Sequence, residues 1–574
     1  MIRLTEKPFY LDAEAVKWVE DTLAQMTDND KIGQLFMLES VSGDKKDLQD
    51  ALDRFQPGGL MHRPNLSRAM RKASEEMQAE MEKIPLLVAG NVCHGMGEIA
   101  FDEKVYLTNM GVAATGDTMY AYRQGVICAE GCNEVGINWT FAPVCDLNLN
   151  YMNSVIGIRS YGSDVDLVSD MSAAFIKGVQ ENGVAACFKH FPGDGVDFRD
   201  QHVTPSVNSL SCEEWDRTYG KIYQRMINEG AMTCMAGHIT LPAYSMKINP
   251  DLTYGDCLPA SYSRELLTGL LREKLGFNGL IVTDAAQMGG MCASLPREIV
   301  VPLSIEAGCD MFLFYCDFEE DVAFMERGLK NGILSRKRLD DAVTRVLALK
   351  AALGLHKSVF RESHYREHTE LFERWTKEGC QASVTLIKNL RKELFPITPE
   401  RYPNLLLYSH VSKNIDPPVM RPEMGKFLAG DKEKLFRYFV EKLKIEGFET
   451  EVYTEELGQE KKLNAYHSRE EVKQYDLVIH FANVEKEHGR AERLMYQGHC
   501  ANDAPYTDMY IPTILISVTS PYLLADAPRV KTAVNCYTNT EEVVDALIDK
   551  LTGRMPFTGK SPVDPFCGLE DTKW

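Results

Sequence analysis

The stretch "GVAACFKHFPGDGVDFRDQHV", Gly183 to Val203, is the part of the sequence that is most informative about the fold. It opens with an apolar run, "GVAACF", and continues with lysine, histidine, arginine and aspartate side chains around glycines and a proline. A solvated loop does not require an apolar run leading into it, because apolar residues are preferentially buried. The stretch therefore predicts a buried strand that carries a cluster of ionisable groups to a fixed position.

Seven other apolar runs of similar length precede residue 355, so that "GVAACF" is one of eight. The others are "KIGQLFML" from Lys31, "GGLMHR" from Gly58, "IPLLVAG" from Ile84, "NWTFAPV" from Asn138, "AMTCMAG" from Ala231, "GLIVTD" from Gly279 and "DMFLFY" from Asp310. Nearly continuous apolar strands that alternate with longer amphipathic stretches are typical of parallel sheets covered by helices. Eight such units predict an α/β fold, a (β/α)8 TIM-type barrel.

Two of the amphipathic stretches have clear helix start signals. They are "SRELLTGLLREKL", Ser263 to Leu275, and "SRKRLDDAVTRVLALKAAL", Ser335 to Leu353. Each opens on a serine, whose hydroxyl oxygen can accept a hydrogen bond from a main-chain N–H of the first turn. Both stretches are therefore predicted to be helices of the barrel.

The pattern of apolar and polar residues changes after about Leu355. A polar stretch is followed by a second series of apolar runs, "ASVTLIKN", "PNLLLYSH", "YDLVIHFANV", "IPTILISVT" and "KTAVNCYTN", with amphipathic segments between them. This pattern predicts a second, smaller α/β sandwich domain. We expect the barrel at residues 1–355, a helical linker at 356–380 and the C-terminal domain at 381–574.

The composition excludes several classes of function. The 574 residues include 63 Lys and Arg against 83 Asp and Glu, a formal net charge of −20, which disfavours nucleic acid and anionic membranes as partners. No stretch approaches 18 uninterrupted apolar residues, and the N-terminus lacks the apolar core of a signal peptide. The fifteen cysteines are scattered without the paired spacing of a zinc site. We expect a cytoplasmic protein with no metal and no cofactor.

In a parallel barrel the functional face is at the carboxyl ends of the strands. Polar residues therefore stand out where they follow a predicted strand: Asn91, His94, Asp146, Arg159 farther along the same loop, Lys189, His190, His238 and Asp284. An arbitrary sequence would rarely place such groups at so many strand ends. They predict a site at this face.

Asp284 follows the apolar run "GLIVT" almost directly. A carboxylate is costly to bury unless it is paired or hydrogen-bonded. One interpretation is structural, a helix N-cap before Ala-Ala-Gln. The other is a nucleophile or an electrostatic stabiliser at the mouth of the barrel.

Asp200 and His202 are two residues apart in "RDQHVTP". On an extended segment both side chains would point to the same side. A carboxylate beside an imidazole orients the ring and stabilises the imidazolium, which is the arrangement of a general acid/base. A surface contact without function is the alternative interpretation.

Two long motifs resemble glycoside hydrolase family 3. They are "GVAACFKHFPGDGVDFRDQH" and "LPASYSRELLTGLLREKLGFNGLIVTDAAQM", supported by "NWTFAPVCDLNLNYMNSVIGIRSYGSD" and by the C-terminal "YTNTEEVVDALIDKLTGRMPFTGKSPV". The resemblance covers nearly the whole chain. The Asp–x–His pair after "KHFPG" resembles the β-N-acetylglucosaminidase branch of that family.

The resemblance implies roles for seven residues. It implies a retaining mechanism with Asp284 as the nucleophile, His202 as the acid/base and Asp200 as its partner. The residues that bind the glycone would be Asn91, Arg159, Lys189 and His190. Lys189 and His190 also have a purely structural interpretation, a salt-bridged strand end.

Two positions depart from the pattern of the branch. Asn91 stands where an aspartate that binds sugar hydroxyls is usual, so the choice of glycone at the 4- and 6-hydroxyls stays open. Asp194 stands where a histidine is usual, and a structural role is one interpretation of it.

The predicted function is release of a terminal β-linked N-acetylhexosamine, N-acetylglucosamine in the first instance, from a small glycoside or oligosaccharide. Phosphorolysis is an alternative, because an imidazole does not repel an anionic acceptor as a carboxylate would, and a β-glucosidase is another. A non-catalytic sugar-binding protein and a metal-dependent hydrolase are alternatives of other classes. We expect a monomer or a homodimer.

Overall fold

The computed structural model describes residues 2–43, 45–54, 56–81, 84–411, 431, 433–463, 470–484, 489–496 and 502–574. By their contacts they divide into two compact units. The first comprises Met1–Tyr106, Ala121–Ile156 and Asp164–Glu370, and the second comprises Leu107–Tyr120, Gly157–Ser163 and Leu371–Trp574. The domain limits expected at 355 and 380 stay predictions.

A parallel sheet of seven strands forms the centre of the first unit. Its strands are β1 Met37–Ser40, β2 Gly59–His62, β3 Leu87–Gly90, β4 Trp139–Thr140, β5 Ala185–Phe191, β7 Thr233–Ala236 and β9 Leu280–Thr283, hydrogen-bonded in that order. Two short strands, β6 Ser206–Val207 and β8 Ile239–Thr240, pair separately. Seven of the eight predicted apolar runs thus contribute a strand to one parallel sheet.

The eighth run closes the sheet into a barrel. Met311 forms a parallel bridge with Val282 of β9, and the next residue, Phe312, forms one with Phe36 just before β1. Residues 311–312 therefore connect the last strand to the first, and the predicted (β/α)8 barrel is confirmed. This eighth element consists of isolated bridges and not of a regular strand.

The first predicted run begins with a helix and not with a strand. Residues Asp28–Leu35 are helical, and β1 begins only at Met37. The physical reason is a capping box: the Thr27 hydroxyl accepts from the Asp30 N–H, and the Asp30 carboxylate accepts from the Thr27 N–H. The cap starts a helix in a segment whose apolar content also suits a strand.

Helices separate most of the barrel strands along the chain. The α- and π-helices described before residue 355 are Ala13–Gln25, Asp28–Leu35, Gln49–Arg54, Ser67–Ala79, Asn109–Ala114, Thr118–Val135, Val165–Glu181, Cys212–Arg217, Tyr219–Glu229, Pro242–Ile248, the π-helix Glu265–Lys274, Gly289–Cys292, Arg297–Ala307, Phe318–Asn331 and Arg336–Ala352. Both serine caps are confirmed. The Ser335 hydroxyl accepts from the Arg338 N–H and the Ser263 hydroxyl from the Leu266 N–H, each at 3.3 Å.

The strand β5 is buried along all seven of its residues, although two of them are lysine and histidine. Two buried polar side chains beside it, those of Trp139 and Thr233, are hydrogen-bonded. The Trp139 indole donates to the Thr233 hydroxyl at 2.8 Å, and that hydroxyl donates to the Ala186 carbonyl at 2.8 Å. This chain joins β4, β7 and β5 inside the barrel and fixes the strand that carries Lys189 and His190.

The second unit contains a six-stranded sheet. Its strands are β10 Thr385–Asn389, β11 Asn404–Val411, β12 Glu449–Val452, β13 Leu477–Asn483, β14 Thr513–Ser517 and β15 Thr532–Asn535, in the order β10-β15-β14-β13-β11-β12. Among the described pairs of this sheet, β10–β15 is antiparallel and the others are parallel. The α-helices described in this part of the chain are Thr369–Ser383, Lys434–Ile445, Glu455–Glu460 and Glu541–Leu551.

Both faces of this second sheet are covered. Phe436 and Phe439, on one of the helices, pack against Phe481 of β13 with ring centroids 5.7 and 4.9 Å apart. Val478 and Ala482 point to the opposite face of the same strand and join apolar clusters there. The predicted second α/β sandwich is therefore confirmed, with β12 as a strand that the sequence did not predict.

None of the helices among the described residues is both long enough and apolar enough to cross a membrane.

Candidate active site

Polar side chains from five strand ends meet at one edge of the barrel. Because the strands are parallel, their carboxyl ends share that edge. The residues are Asn91 after β3, Asp146 after β4, Lys189 and His190 within β5, His238 after β7 and Asp284 after β9. The described contacts join these groups into one site.

Asp284 is 6% exposed and lies directly after β9. Its Oδ1 accepts from the Ala285 N–H at 2.8 Å. Its Oδ2 has no hydrogen-bond partner among the residues that the structure describes, and the Nε2 atom of His190 is 3.9 Å away. The interpretation of Asp284 as a helix N-cap is wrong, because the next helix begins only at Gly289.

The charge of Asp284 is stabilised by its neighbours. Burial alone would raise the pKa of this carboxyl group, but His190, His238, His202 and Lys189 lower the pKa to about 2. The group is therefore ionised at neutral pH in spite of its burial. A buried, ionised carboxylate with one uncommitted oxygen is suited to nucleophilic attack.

His190 is held in one orientation by Asp146. The His190 Nδ1 and the Asp146 Oδ2 atoms are 2.7 Å apart, and the His190 main-chain N–H also donates to the Asp146 carboxylate at 3.2 Å. Asp146 is completely buried. The carboxylate thereby directs the Nε2 side of the ring towards Asp284.

Lys189 and Asn91 contact each other across two strand ends. The Lys189 ammonium donates to the Asn91 Oδ1 atom at 3.3 Å. The loop after Asn91 is braced by Glu98, whose Oε2 accepts from the main-chain N–H groups of Cys93 and His94 at 2.6 and 3.0 Å. Two of the predicted glycone-binding residues are thus adjacent in the structure.

The predicted pair Asp200 and His202 is in contact. The His202 Nδ1 and Asp200 Oδ1 atoms are 2.5 Å apart, and the His202 N–H donates to the same oxygen at 2.8 Å. The sequence suggested an extended segment, but the segment forms a tight turn. In this turn the Asp200 carbonyl accepts hydrogen bonds from the N–H groups of Val203 and Thr204. The short aspartate side chain bonds its own backbone two residues on, and the turn makes the contact.

The loop that carries His202 is attached to the loop that follows Asp284. The Gly289 N–H donates to the His202 carbonyl at 2.9 Å. A Cβ atom on Gly289 would lie 2.3 Å from the Val203 carbonyl oxygen, and one on Gly290 would lie 2.2 Å from that of Gln201. Glycines at these two positions allow the two loops to approach each other closely.

His238 and two residues of the loop after β5 have further contacts at the site. His238 contacts the Ser261 hydroxyl at 2.8 Å and the Ala285 carbonyl at 3.0 Å, next to Asp284, and burial lowers its pKa. Asp194 and Gln201 connect the loops behind the dyad. The strand-end position of His238 was a usable signal, whereas nothing in the sequence marked Gln201.

Arg159 belongs by its contacts to the second unit. It ends the 3₁₀ helix Gly157–Arg159, and its carbonyl accepts from the Asn109 side chain at 2.6 Å. Its predicted role in glycone binding stays a prediction. Across the described ranges, no group of three or more His, Cys, Asp and Glu side chains is placed to hold a metal ion.

Comparisons with known proteins agree over nearly the whole chain. The model of the "Glycosyl hydrolase family 3 N terminal domain" matches residues 27–349. The "Beta-N-acetylglucosaminidase/beta-glucosidase" of Cellulomonas fimi is 37% identical over 580 residues, which cover 100% of both chains.

Solved structures are similar over the same extent. "Beta-glucoside phosphorylase BglX bound to 2FGlc" has a TM-score of 0.90 at 37% identity, covering 99% of each chain. The structure of a glycoside hydrolase family 3 beta-N-acetylglucosaminidase from Paenibacillus sp. str. FPU-7 has a TM-score of 0.75 at 25% identity, covering 94% of this chain and 99% of the other. The similarity to these structures thus extends through both units.

Proposed function

Because the chain belongs to glycosyl hydrolase family 3 and is a glycosidase, we propose that it releases a terminal β-linked sugar through a covalent glycosyl–Asp284 intermediate. The observation that carries the proposal is the buried Asp284 carboxylate, ionised among three histidines and Lys189, with Oδ2 uncommitted. An ionised carboxylate is the nucleophile of a double displacement, which retains the anomeric configuration.

In the first step Asp284 Oδ2 attacks the anomeric carbon and the bond to the leaving oxygen breaks. His202 gives a proton to that oxygen as the bond breaks. Its Nδ1 is hydrogen-bonded to Asp200 at 2.5 Å, so Nε2 is the nitrogen that we expect to transfer the proton. Asp200 compensates the positive charge of the imidazolium before the transfer.

In the second step an acceptor oxygen attacks the anomeric carbon and the bond from that carbon to Asp284 Oδ2 breaks, while His202 takes up the proton of an acceptor such as water that carries one on the attacking oxygen. Water as the acceptor gives hydrolysis. Phosphate is the second candidate acceptor, supported by two observations. The acid/base is an imidazole instead of a carboxylate, which removes a like-charge repulsion of a few kcal/mol at about 4 Å, and the chain is similar to a protein named as a beta-glucoside phosphorylase.

For the sugar we propose N-acetylglucosamine, with glucose as the alternative, since the Cellulomonas fimi relative is named for both activities. Lys189 and His190 would donate hydrogen bonds to hydroxyl groups of the sugar, and for Arg159 the same role is proposed from the family resemblance alone. Asn91 can both donate and accept such a bond but carries no charge. The choice between the two sugars is tested directly by comparing the p-nitrophenyl N-acetyl-β-glucosaminide with the p-nitrophenyl β-glucoside. Cleavage of neither substrate would contradict the proposed function.

Phosphate is expected to compete with water for the intermediate. With a 2,4-dinitrophenyl glycoside, whose leaving group needs little acid assistance, addition of millimolar phosphate should raise turnover and yield the β-sugar 1-phosphate beside the free sugar. Phosphorus NMR identifies the product, and sulfate at equal ionic strength serves as the control. Free sugar as the sole product at every phosphate concentration would restrict the acceptor to water.

Replacing Asp200 by alanine is expected to weaken the acid. For alkyl glycosides, kcat/KM should fall about 10–100-fold, and for the 2,4-dinitrophenyl glycoside it should fall less than about threefold, because only the poor leaving group needs the proton that His202 transfers. The measurement is kcat/KM with both substrates, with Asp197→Ala as the control, since Asp197 lies in the same loop but pairs with Arg199. A ratio of the two substrates that is equal in Asp200→Ala and in the wild type would contradict the dyad.

A further inference from the structure

Gln201 stands between the two members of the dyad in sequence, but its side chain points into the protein. The residue is completely buried. Its Nε2 donates to the Asp194 Oδ2 atom at 3.0 Å, and its Oε1 accepts from the His238 main-chain N–H at 2.9 Å. Both polar ends of the amide are therefore committed, and the amide can lie in only one orientation.

Asp194 offers only acceptor oxygens to its neighbours. Oδ1 accepts from the Gly195 N–H at 2.6 Å and from the Asn153 amide at 3.0 Å, and Oδ2 accepts from Gln201. The Asp194 main-chain N–H in turn donates to Asp146 at 2.8 Å. Burial and the nearby Asp146 raise the pKa of Asp194 to about 7, whereas the hydrogen bonds from the Gly195 N–H and the Asn153 amide favour its ionised form.

These contacts join three loops at the carboxyl edge of the barrel. Asp146 follows β4, Asp194 and Gln201 follow β5, and His238 follows β7 and contacts the carbonyl next to Asp284. The second attachment of the same segment is the bond from the Gly289 N–H to the His202 carbonyl. The peptide between Gln201 and His202 is thus held from both sides, once by a side chain and once by the main chain.

We propose that Gln201 and Asp194 are positioning residues, which fix the Asp200–His202 dyad at the distance from Asp284 that proton transfer to the leaving oxygen requires. The inference rests on the proposed function, because it assigns a role relative to the acid/base. Neither residue touches the substrate in this scheme. Proton transfer depends steeply on donor–acceptor distance, so a small displacement of the turn reduces general acid catalysis before it affects glycone binding.

The chain permits a test by exchange of the two hydrogen-bonding partners. Asp194→Asn alone turns an amide NH₂ group towards the Gln201 NH₂ group, so two donors face each other. Gln201→Glu alone places a carboxylate against the carboxylate of Asp194. The double variant D194N/Q201E restores an amide donor opposite a carboxylate acceptor, with the same net charge, and it keeps acceptors for His238, Gly195 and Asn153.

The expected result is loss in each single variant and recovery in the double variant. For an alkyl glycoside, kcat/KM should fall about 10–100-fold in each single variant and return to within about threefold of the wild type in the exchange. For the 2,4-dinitrophenyl glycoside, which needs little acid assistance, kcat/KM should change less than about threefold throughout. A merely structural role would not produce this dependence on the leaving group.

Gln78→Glu is the matched control, because Gln78 is a buried glutamine whose amide pairs with the main chain of Leu86 away from the dyad. It should lower the thermal midpoint without changing the ratio of the two substrates. Gln201→Met, which removes both hydrogen bonds without adding repulsion, replaces a single variant that does not fold.

Two outcomes would overturn the inference. One is equal loss on both substrates. The other is a double variant no more active than the product of the two single effects predicts. A wild-type protein that cleaves neither glycoside would instead overturn the proposed function, so the two failures are distinguishable.

Discussion

Asp284→Asn is expected to lower kcat by about 10⁴-fold or more and to leave the fold intact, because the amide cannot form the covalent ester with the sugar. Asparagine has the shape of aspartate, and its Oδ1 can still accept the hydrogen bond from the Ala285 N–H. The variant also removes the negative charge that faces His190, so some loss of stability accompanies the loss of activity.

The measurement combines steady-state rates with mass spectrometry of the trapped intermediate. A 2-deoxy-2-fluoro glycoside with a good leaving group slows both steps, and the wild type should retain the sugar on the peptide that contains Asp284. The control is Asp508→Asn, which changes a buried carboxylate paired with Arg391 in the second unit and should keep most of the activity. Near-normal turnover by Asp284→Asn, or label on another peptide, would remove Asp284 as the nucleophile.

The barrel was predictable because its strands are buried on both faces. A strand that is covered by helices outside and by side chains inside has a continuous apolar sequence. Seven of the eight apolar runs contribute strands to one sheet. The same reasoning located the site, since the carboxyl ends of parallel strands converge. Asp284 and the Lys189–His190 pair were recognisable because polar residues directly follow or interrupt apolar runs.

Local capping and turn signals can override the secondary structure that an apolar pattern predicts. The segment from Lys31 was interpreted as a strand, although the capping box of Thr27 and Asp30 begins a helix there. The spacing of Asp200 and His202 predicted their contact but not its cause. The contact results from a turn, which is defined by the hydrogen bonds that the Asp200 carbonyl accepts.

The contacts between loops could not be predicted from the sequence. Gln201 acquires its role from Asp194, seven positions earlier, and from the main chain of His238, which follows a different strand. Similarly, Arg159 clusters by its contacts with a unit that consists mainly of residues after 370. Such partnerships depend on the packing of segments far apart in the chain, and no local pattern records them.

The buried charged groups of the site compensate one another. Lys189 and His190 lie on a fully buried strand, where an isolated charge would be costly. Asp146 compensates His190 from one side, and Asp284 lies on the other side of the same ring. The proposed nucleophile is therefore also part of the charge balance around β5, which would connect the stability of the barrel with the proposed chemistry.

His202→Ala is expected to reduce kcat/KM for alkyl glycosides by about 10³-fold but for the 2,4-dinitrophenyl glycoside by less than about tenfold, because only the poor leaving group needs a proton as the bond breaks. With the activated substrate the second step then limits turnover, since it lacks its base, and the intermediate accumulates. A burst of dinitrophenol equal to the enzyme concentration is the expected observation. Azide, an anion that needs no general base, should speed turnover and give the glycosyl azide.

The pH dependence of this variant provides a second criterion. The remaining reactive group is Asp284, and in the absence of His202 its pKa is still lowered by His190, His238 and Lys189 against the opposing effect of burial. The burst rate with the activated substrate should therefore stay flat from about pH 4 to pH 8. His364→Ala, which removes a histidine paired with Glu367 on the surface, is the matched control and should behave as the wild type. Equal losses on both leaving groups, or no rescue by azide, would deny His202 the acid/base role and shift it to another residue of the same edge.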